Sequence, residues 1–426
     1  MTDPITLRCT ARTLFDAGVA AADPGHAVRQ SLMGDPVRAT RIVAVGKAAL
    51  AMLAAAREFL PDVPAVVVTN AENAAAAPRG ETVHVAGHPV PDAAGERAAL
   101  AVEAFVARAG EGETVLVLVS GGGSAMLPAP VEGVALGDKI AVTDLLLASG
   151  APIDAINTVR RALSRLKGGG LARAIHPART VAMLLSDVPR DEIAVIASGP
   201  TVPGSPADRQ AGEAVDVLRR WCAMDRVPPA VRTVLEQRRH GAVERLPELF
   251  VENRLVGGNG TSVRAMAERA VQSGLAASIV STWLDGDVAD AAATMHRAAM
   301  TALGSDSPDV LLAGGETTVV LRGTGTGGRN QEMALRFALL CEREPPPRPW
   351  AFLSGGTDGR DGPTEAAGGL VDAGTIPRLR GRGLDVEGML VDNDSGTALR
   401  EAGDLLVTGP TGTNVADLQV LTMGRT

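Results

Sequence analysis

The 426-residue chain has no tyrosine, and aromatic residues make up only 2% of it. Stacking platforms for unpaired bases are therefore scarce, and a formal net charge of −8 argues against nucleic acid, which calls for a basic face. Cysteine is sparse too: Cys9, Cys222 and Cys341 stand apart, with no C-x-x-C pair. That pattern offers no disulfide framework and suits a reduced compartment. The six histidines are scattered, which leaves no thiol or imidazole cage for zinc. No stretch nears the roughly 20 apolar residues that span a bilayer, and no basic start leads into an apolar core near the N-terminus. A cytoplasmic protein with neither a membrane nor a nucleic-acid partner is expected.

What is present is an ordinary globular balance, 46% hydrophobic and 21% charged, in a chain long enough for two domains. Apolar runs rich in Val, Ile and Leu end in Gly, Ser, Asn or Asp before helical patterns begin. The expected strands are 41–45, 65–69, 114–119, 180–185, 254–256, 277–281, 309–312, 317–321, 351–353 and 405–407. Continuous apolar strands alternating with helices imply parallel sheets covered on both faces. The charged, proline-containing segment 219–249 lacks a strand pattern, so a change-over near residue 240 divides the chain into domains of 1–240 and 241–426.

In open α/β sheets ligands gather beyond the carboxyl ends of the strands, and the chemistry-bearing residues of this sequence follow strands. Val43-Ala-Val-Gly46-Lys47 sets a lysine where a helix begins, next to a positive dipole end. A bound phosphate gives that position a reason; a solvated lysine covering apolar surface is the other reading. Ser120-Gly121-Gly122-Gly123-Ser124 follows the strongest strand and reads either as a backbone anion nest or as a bare tight turn. It lacks the Gly-Lys-Ser/Thr ending of a Walker A loop. Asn157 through Lys167-Gly-Gly-Gly170 reads as a basic helix stopping at glycines, its cations ordinary dipole partners. Ser186-Asp187 places a carboxylate directly after a strand, either as a Mg²⁺ ligand or proton acceptor, or as a turn former.

The second half repeats this theme with Gly258-Asn259, Glu316, Arg329 at a helix opening, and Thr357-Asp358 with Asp361 nearby. Arginine behind a glycine loop suits a phosphoryl oxygen. Gly323, Gly325 and Gly328 satisfy G-x-G-x-x-G, a dinucleotide fingerprint that supports an alternative reading, an NAD(P)H-dependent reductase. The ribose-binding carboxylate should follow about 20 residues later, yet Asp358 lies some ten residues beyond that.

Together, Val45-Gly-Lys47, Gly87-His-Pro-Val-Pro-Asp92, Ser120 to Ser124, Asn157 to Gly170, Ser186-Asp-Val-Pro189, Ser198-Gly-Pro-Thr201, Gly314-Gly-Glu316, Gly327-Gly-Arg-Asn-Gln331, Ser354 to Gly359 and Thr411-Gly-Thr-Asn414 occur in one order. In this the chain resembles the glycerate 2-kinases that carry a C-terminal MOFRL domain, here about residues 308–415. The resemblance implies two α/β domains, the N-terminal one Rossmann-like, with an active-site cleft between them. It also implies transfer of phosphate from ATP, with Mg²⁺, to D-glycerate, giving 2-phosphoglycerate. Some relatives carry the name hydroxypyruvate reductase. Lys47, Arg329 and Asp187 are the expected catalytic residues. Ser120, Gly121, Gly122, Gly123, Ser124, Lys167, Gly258, Asn259, Thr357 and Asp358 are expected at the nucleotide or substrate, and Asp187, Glu316 and Asp358 at the metal. Whether the chain forms a homodimer is left open.

Overall fold

The run Val115-Leu-Val-Leu-Val119 is fully buried and lies inside a six-stranded sheet. The computed structural model describes residues 3–74, 80–241, 247–302 and 307–424. In its first sheet the strands are β1 (Arg41–Val45), β2 (Ala65–Thr69), β3 (Thr82–Val85), β4 (Thr114–Val119), β5 (Arg179–Leu185) and β6 (Val251–Gly257), in the order β3-β2-β1-β4-β5-β6. β1 pairs in parallel with β2 and β4, as do β2 with β3 and β4 with β5. The chain order reverses between β1 and β4, the place where such sheets open a crevice beyond their carboxyl ends. Helices Leu136–Ala148, Ile153–Ala162, Ala207–Trp221 and Pro229–Arg239 build a separate core around Leu146, Val159, Leu218 and Leu235.

The second sheet contains β7 (Ala277–Leu284), β8 (Val310–Gly315), β9 (Trp350–Gly356), β10 (Gly368–Asp372), β11 (Leu405–Leu406) and β12 (Asp417–Met423), ordered β11-β10-β9-β12-β8-β7. The α/β class holds for both sheets, but the expectation of mostly parallel pairing is corrected in this one. Only β7 and β8 pair in parallel; β8/β12, β12/β9, β9/β10 and β10/β11 are antiparallel. An apolar run reports burial on both faces and carries no information about direction. β12, which no expected strand anticipated, occupies the sheet centre. The expected strand at 317–321 is absent: Thr318 makes one isolated bridge to Asp287, and Val320 and Leu321 are exposed. One core of this sheet centres on Phe337, which stacks on Phe352 at 4.2 Å between ring centres and meets Trp350 edge-on.

By internal packing the chain forms two compact units. One spans residues 24–186 and 192–256 and holds the first sheet; the other spans 1–23, 187–191 and 257–426 and holds the second. No single cut in the chain produces this partition, because the N-terminal helix Pro4–Ala21 packs on β9, β12 and the helix Asn259–Gln272.

Candidate active site

In the first unit, the two loops at the strand-order reversal are locked together. Gly46 has φ +119°, and a Cβ there would lie 2.3 Å from Ser120 Oγ, so only glycine permits the approach. Ser120 N–H donates to Val45 O at 2.9 Å, Lys47 N–H to Gly121 O at 2.9 Å, and Ala48 N–H to Ser120 Oγ at 3.0 Å. Ser120 is therefore a buried brace between β1 and β4. The N–H groups of Gly121 and Gly122 find no acceptor among the described residues. They stand ahead of the short helix Gly123–Met126, with Gly122 at φ +83° as its cap, which is the geometry of an anion nest. Gly123 packs against Val45 and Ala197. The Lys47 side chain is partly exposed beside this nest.

His88 completes this corner. A Cβ on Gly122 would sit 3.0 Å from its ring, and the imidazole pKa is lowered by burial and then by the Lys47 charge, with Glu72 opposing. On the other side of the loop, Ser124 Oγ lies 2.9 Å from Ser198 Oγ, which donates to Asn157 Oδ1 at 3.3 Å. Ser198 holds a left-handed φ of +62°, a strained conformation for a non-glycine residue. Lys167 is buried, and its ammonium donates to Ser124 O at 2.7 Å and Leu127 O at 2.8 Å. It braces the loop from behind.

The second unit gathers its charges around Arg329, at the start of the helix Arg329–Arg343. Its guanidinium donates through Nε (2.6 Å) and one terminal nitrogen (3.0 Å) to the two oxygens of buried Asp417. The other terminal nitrogen pairs with Glu316 at 3.0 Å. Three of the five N–H groups are thereby used, leaving two for a ligand. Asp361 accepts from the N–H groups of Asn330 at 3.0 Å and Gln331 at 2.8 Å, capping the same helix. Burial pushes the Asp361 carboxyl up to about 6, against those two hydrogen bonds. Burial likewise raises Asp417, with Arg329 opposing. A cavity of about 420 Å³ opens here, lined by Gly327, Gly328, Arg329, Glu332, Asp358 and Asp361 among others.

The remaining expected residues sit as follows. Thr357 is buried, donating to Ala416 O at 2.7 Å and accepting from Val415 N–H at 2.9 Å. Asp358 Oδ1 accepts from Arg360 N–H at 2.9 Å, which leaves Oδ2 for another donor or a cation. Gly258 is the extended N-cap of the helix Asn259–Gln272, and buried Asn259 donates to Val415 O and Asp417 O, both at 2.8 Å. Asp187 falls in the second unit, with Glu316, Arg329 and Asp358.

Residues 10–236 match DUF4147, a domain of unknown function, and residues 309–417 match the MOFRL family. The chain is 38% identical to the D-glycerate 2-kinase of Thermotoga maritima over 98% of this chain and 99% of that one. A crystal structure of glycerate kinase from Thermotoga maritima superimposes with a TM-score of 0.89 at 36% identity, covering 98% of this chain and all of the other. An Agrobacterium vitis protein provisionally named a hydroxypyruvate reductase is 40% identical over 99% of this chain and 95% of its own length. The chain belongs to the glycerate kinase family.

For a member of that family, the glycine-rich segment 323–328 has an unexpected task. Arg322 and Gly323 N–H donate to Asn393 Oδ1 at 2.7 and 3.1 Å, Thr324 N–H to Asp392 Oδ1 at 2.9 Å, and Thr326 N–H to Asp394 Oδ1 at 3.0 Å. Cβ atoms on Gly323, Gly325 and Gly327 would collide with Asp392, Asp394 and Ser395. These glycines permit a close approach of two loops, and amides that a pyrophosphate would need are already bonded. Among the described residues no strand leads directly into them, so the dinucleotide fingerprint is a chance match.

Sequence reasoning missed Asp417, which reads as the first residue of an apolar strand, and gave His88 no role although its motif was visible. Among the described residues no three His, Cys, Asp or Glu side chains converge as a metal cage. Glu316 and Asp358 nevertheless offer the hard oxygen donors that suit Mg²⁺, an ion usually held by one or two carboxylates together with substrate phosphates. No helix among the described residues is long and apolar enough to cross a membrane.

Proposed function

We propose that the protein transfers the γ-phosphoryl group of ATP to the 2-hydroxyl of D-glycerate, giving 2-phosphoglycerate and ADP. The observation that carries this reading is the pair of N–H groups of Gly121 and Gly122, without an acceptor among the described residues, next to Lys47 at the strand-order reversal of a glycerate kinase family fold. Such a corner binds phosphate through backbone dipoles and a point charge.

Phosphoryl transfer needs positioning and charge neutralisation more than covalent chemistry. Lys47, beside the Gly121–Gly122 nest, acts on the transferring group; in the other unit Arg329 keeps two N–H groups for an anionic ligand, its guanidinium fixed by Asp417 and Glu316. The hydroxyl oxygen forms its bond to the γ-phosphorus as the bond to the β–γ bridging oxygen breaks, and the hydroxyl proton passes to Asp187. Glu316 and Asp358, joined by Asp187 in the alternative where it does not take that proton, are the residues that would hold Mg²⁺, which when bound neutralises phosphate charge.

A coupled ADP-release assay with D-glycerate, L-glycerate, glycerol and hydroxypyruvate tests the proposal. Turnover with D-glycerate, and product identified as the 2-phosphate, is the expected result. Oxidation of NADH or NADPH by hydroxypyruvate, without ADP release from D-glycerate, would overturn it.

A further inference from the structure

Three cations of the first unit are massed behind the loop 120–124 with no carboxylate paired to them among the described residues. Lys139, in the helix Leu136–Ala148, is 5% exposed and donates to Pro128 O at 2.5 Å; Lys167 is 2% exposed and donates to Ser124 O and Leu127 O. Each of them feels the charge of Arg160, in the helix Ile153–Ala162. Neighbouring Arg165 is balanced: Glu103 receives two of its hydrogen bonds, both 2.8 Å. Arg160 is not. Its partly buried guanidinium has no hydrogen bond or ion pair among the described residues.

A guanidinium partly withdrawn from water with its N–H groups unpaired is unfavourable. The buried Lys139 and Lys167 nearby make the position more unfavourable still to the extent that they are protonated, unless an anion enters. Lys139 and Lys167 hold backbone carbonyls, so Arg160 is the member of the three with its donors free. It lies one helical turn beyond Asn157, on the face that reaches the Ser198 and Ser124 hydroxyls. The loop thus separates two cationic places. His88, which feels the Lys47 charge, lies against Gly122 at one side, while Lys167 reaches Ser124 O, and Asn157, one turn before Arg160, accepts from Ser198 at the other.

We infer that Arg160 and the Ser124–Ser198 hydroxyl pair form the binding site for the carboxylate of the hydroxy-acid substrate. The planar fork of arginine matches a carboxylate through two parallel hydrogen bonds, and the Ser124 hydroxyl, which now donates to Ser198, can turn to add a third. The acid end is then gripped on the Arg160 side of the loop, and the hydroxyl is directed toward Lys47. The inference rests on the kinase reading and adds to it the group that recognises the substrate.

The test uses the full chain and its R160Q and R160K variants, measured in two ways. Steady-state kinetics should show KM for D-glycerate raised about 30- to 100-fold in R160Q, the range of a lost charge-assisted hydrogen-bond pair. KM for ATP should stay within about twofold of wild type. R160K, which keeps the charge and loses the fork, should fall between. Thermal unfolding without nucleotide should show wild type stabilised by D-glycerate and not by glycerol, with that gain absent in R160Q. A wild type that phosphorylates D-glycerate while R160Q and R160K keep its KM would overturn the inference and leave the kinase reading intact. Wild type without kinase activity would sink the kinase reading, and the thermal arm then decides the carboxylate site alone. Stabilisation by inorganic phosphate but not by D-glycerate would overturn the carboxylate assignment. Should R160Q fail to fold, R160K gives the same comparisons.

Discussion

Arg329 grips Asp417 through two hydrogen bonds of 2.6 and 3.0 Å, a fork-on-carboxylate contact between the first turn of a helix and the first residue of the central strand β12. Asp417 stands opposite Gly315 on one neighbouring strand and Gly356 on the other. Its carboxylate is buried, so the pair fixes the guanidinium rather than merely neutralising it. Asp417→Asn removes that anchor. The expected outcome is a loss of about 3 kcal/mol in unfolding free energy, typical when one partner of a buried pair is removed, with kcat lowered at least tenfold. Denaturant melts and initial rates would check it; a variant with wild-type kcat would mean that the guanidinium needs no anchor.

Lys47 has a partly exposed side chain whose removal should cost the fold little. Lys47→Ala is expected to keep the melting transition within about 0.5 kcal/mol of wild type. Its kcat should fall by about 100-fold or more, the scale of a lost electrostatic contact at a transition state. Near-normal turnover would exclude Lys47 from the reaction.

Asp361 gives stability a pH dependence of known sign. Its folded pKa, about 6, lies above the ordinary 3.8, so the folded state holds a proton that the unfolded chain has released. Stability from this group is fully present below about pH 4 and is lost as pH rises through 6, by on the order of 3 kcal/mol. Asp361→Asn should flatten the profile between pH 4 and 7 in chemical denaturation.

Lys139 acts in a different window. Burial, with Arg160 and Arg165 nearby, lowers its folded pKa from 10.5 to about 7. Between these values the unfolded chain binds the extra proton, so stability rises with pH across the window, by on the order of 3–5 kcal/mol. Lys139→Met should remove that rise. A profile for the variant parallel to wild type from pH 7 to 10 would contradict the assignment.

Gly46 is the narrowest steric point of the first unit. Gly46→Ala meets both a positive φ and a Cβ 2.3 Å from Ser120 Oγ. Destabilisation of about 2–3 kcal/mol or more is expected, together with reduced activity, since the loop 120–124 must move away. Thermal melting alongside the ADP assay would read both effects.

Much of this was legible in the residues themselves. Apolar runs ending in Gly, Ser or Asp determined the α/β class and the strand ends where Lys47, the loop 120–124, Glu316 and Asp358 sit, because burial of a strand and the turn that ends it are local properties. Family-like strings supplied the expected reaction. Direction and partnership were decided only in three dimensions. The central, antiparallel position of β12 depends on hydrogen bonds to strands distant in the chain, and no local pattern in 417–423 records them. For the same reason Asp417 looked like a strand residue and Arg160 like an ordinary helix-end cation. The cost of a buried charge is set by what folding brings beside it, and the tertiary structure alone gave Asp417 a guanidinium and left Arg160 without a carboxylate among the described residues.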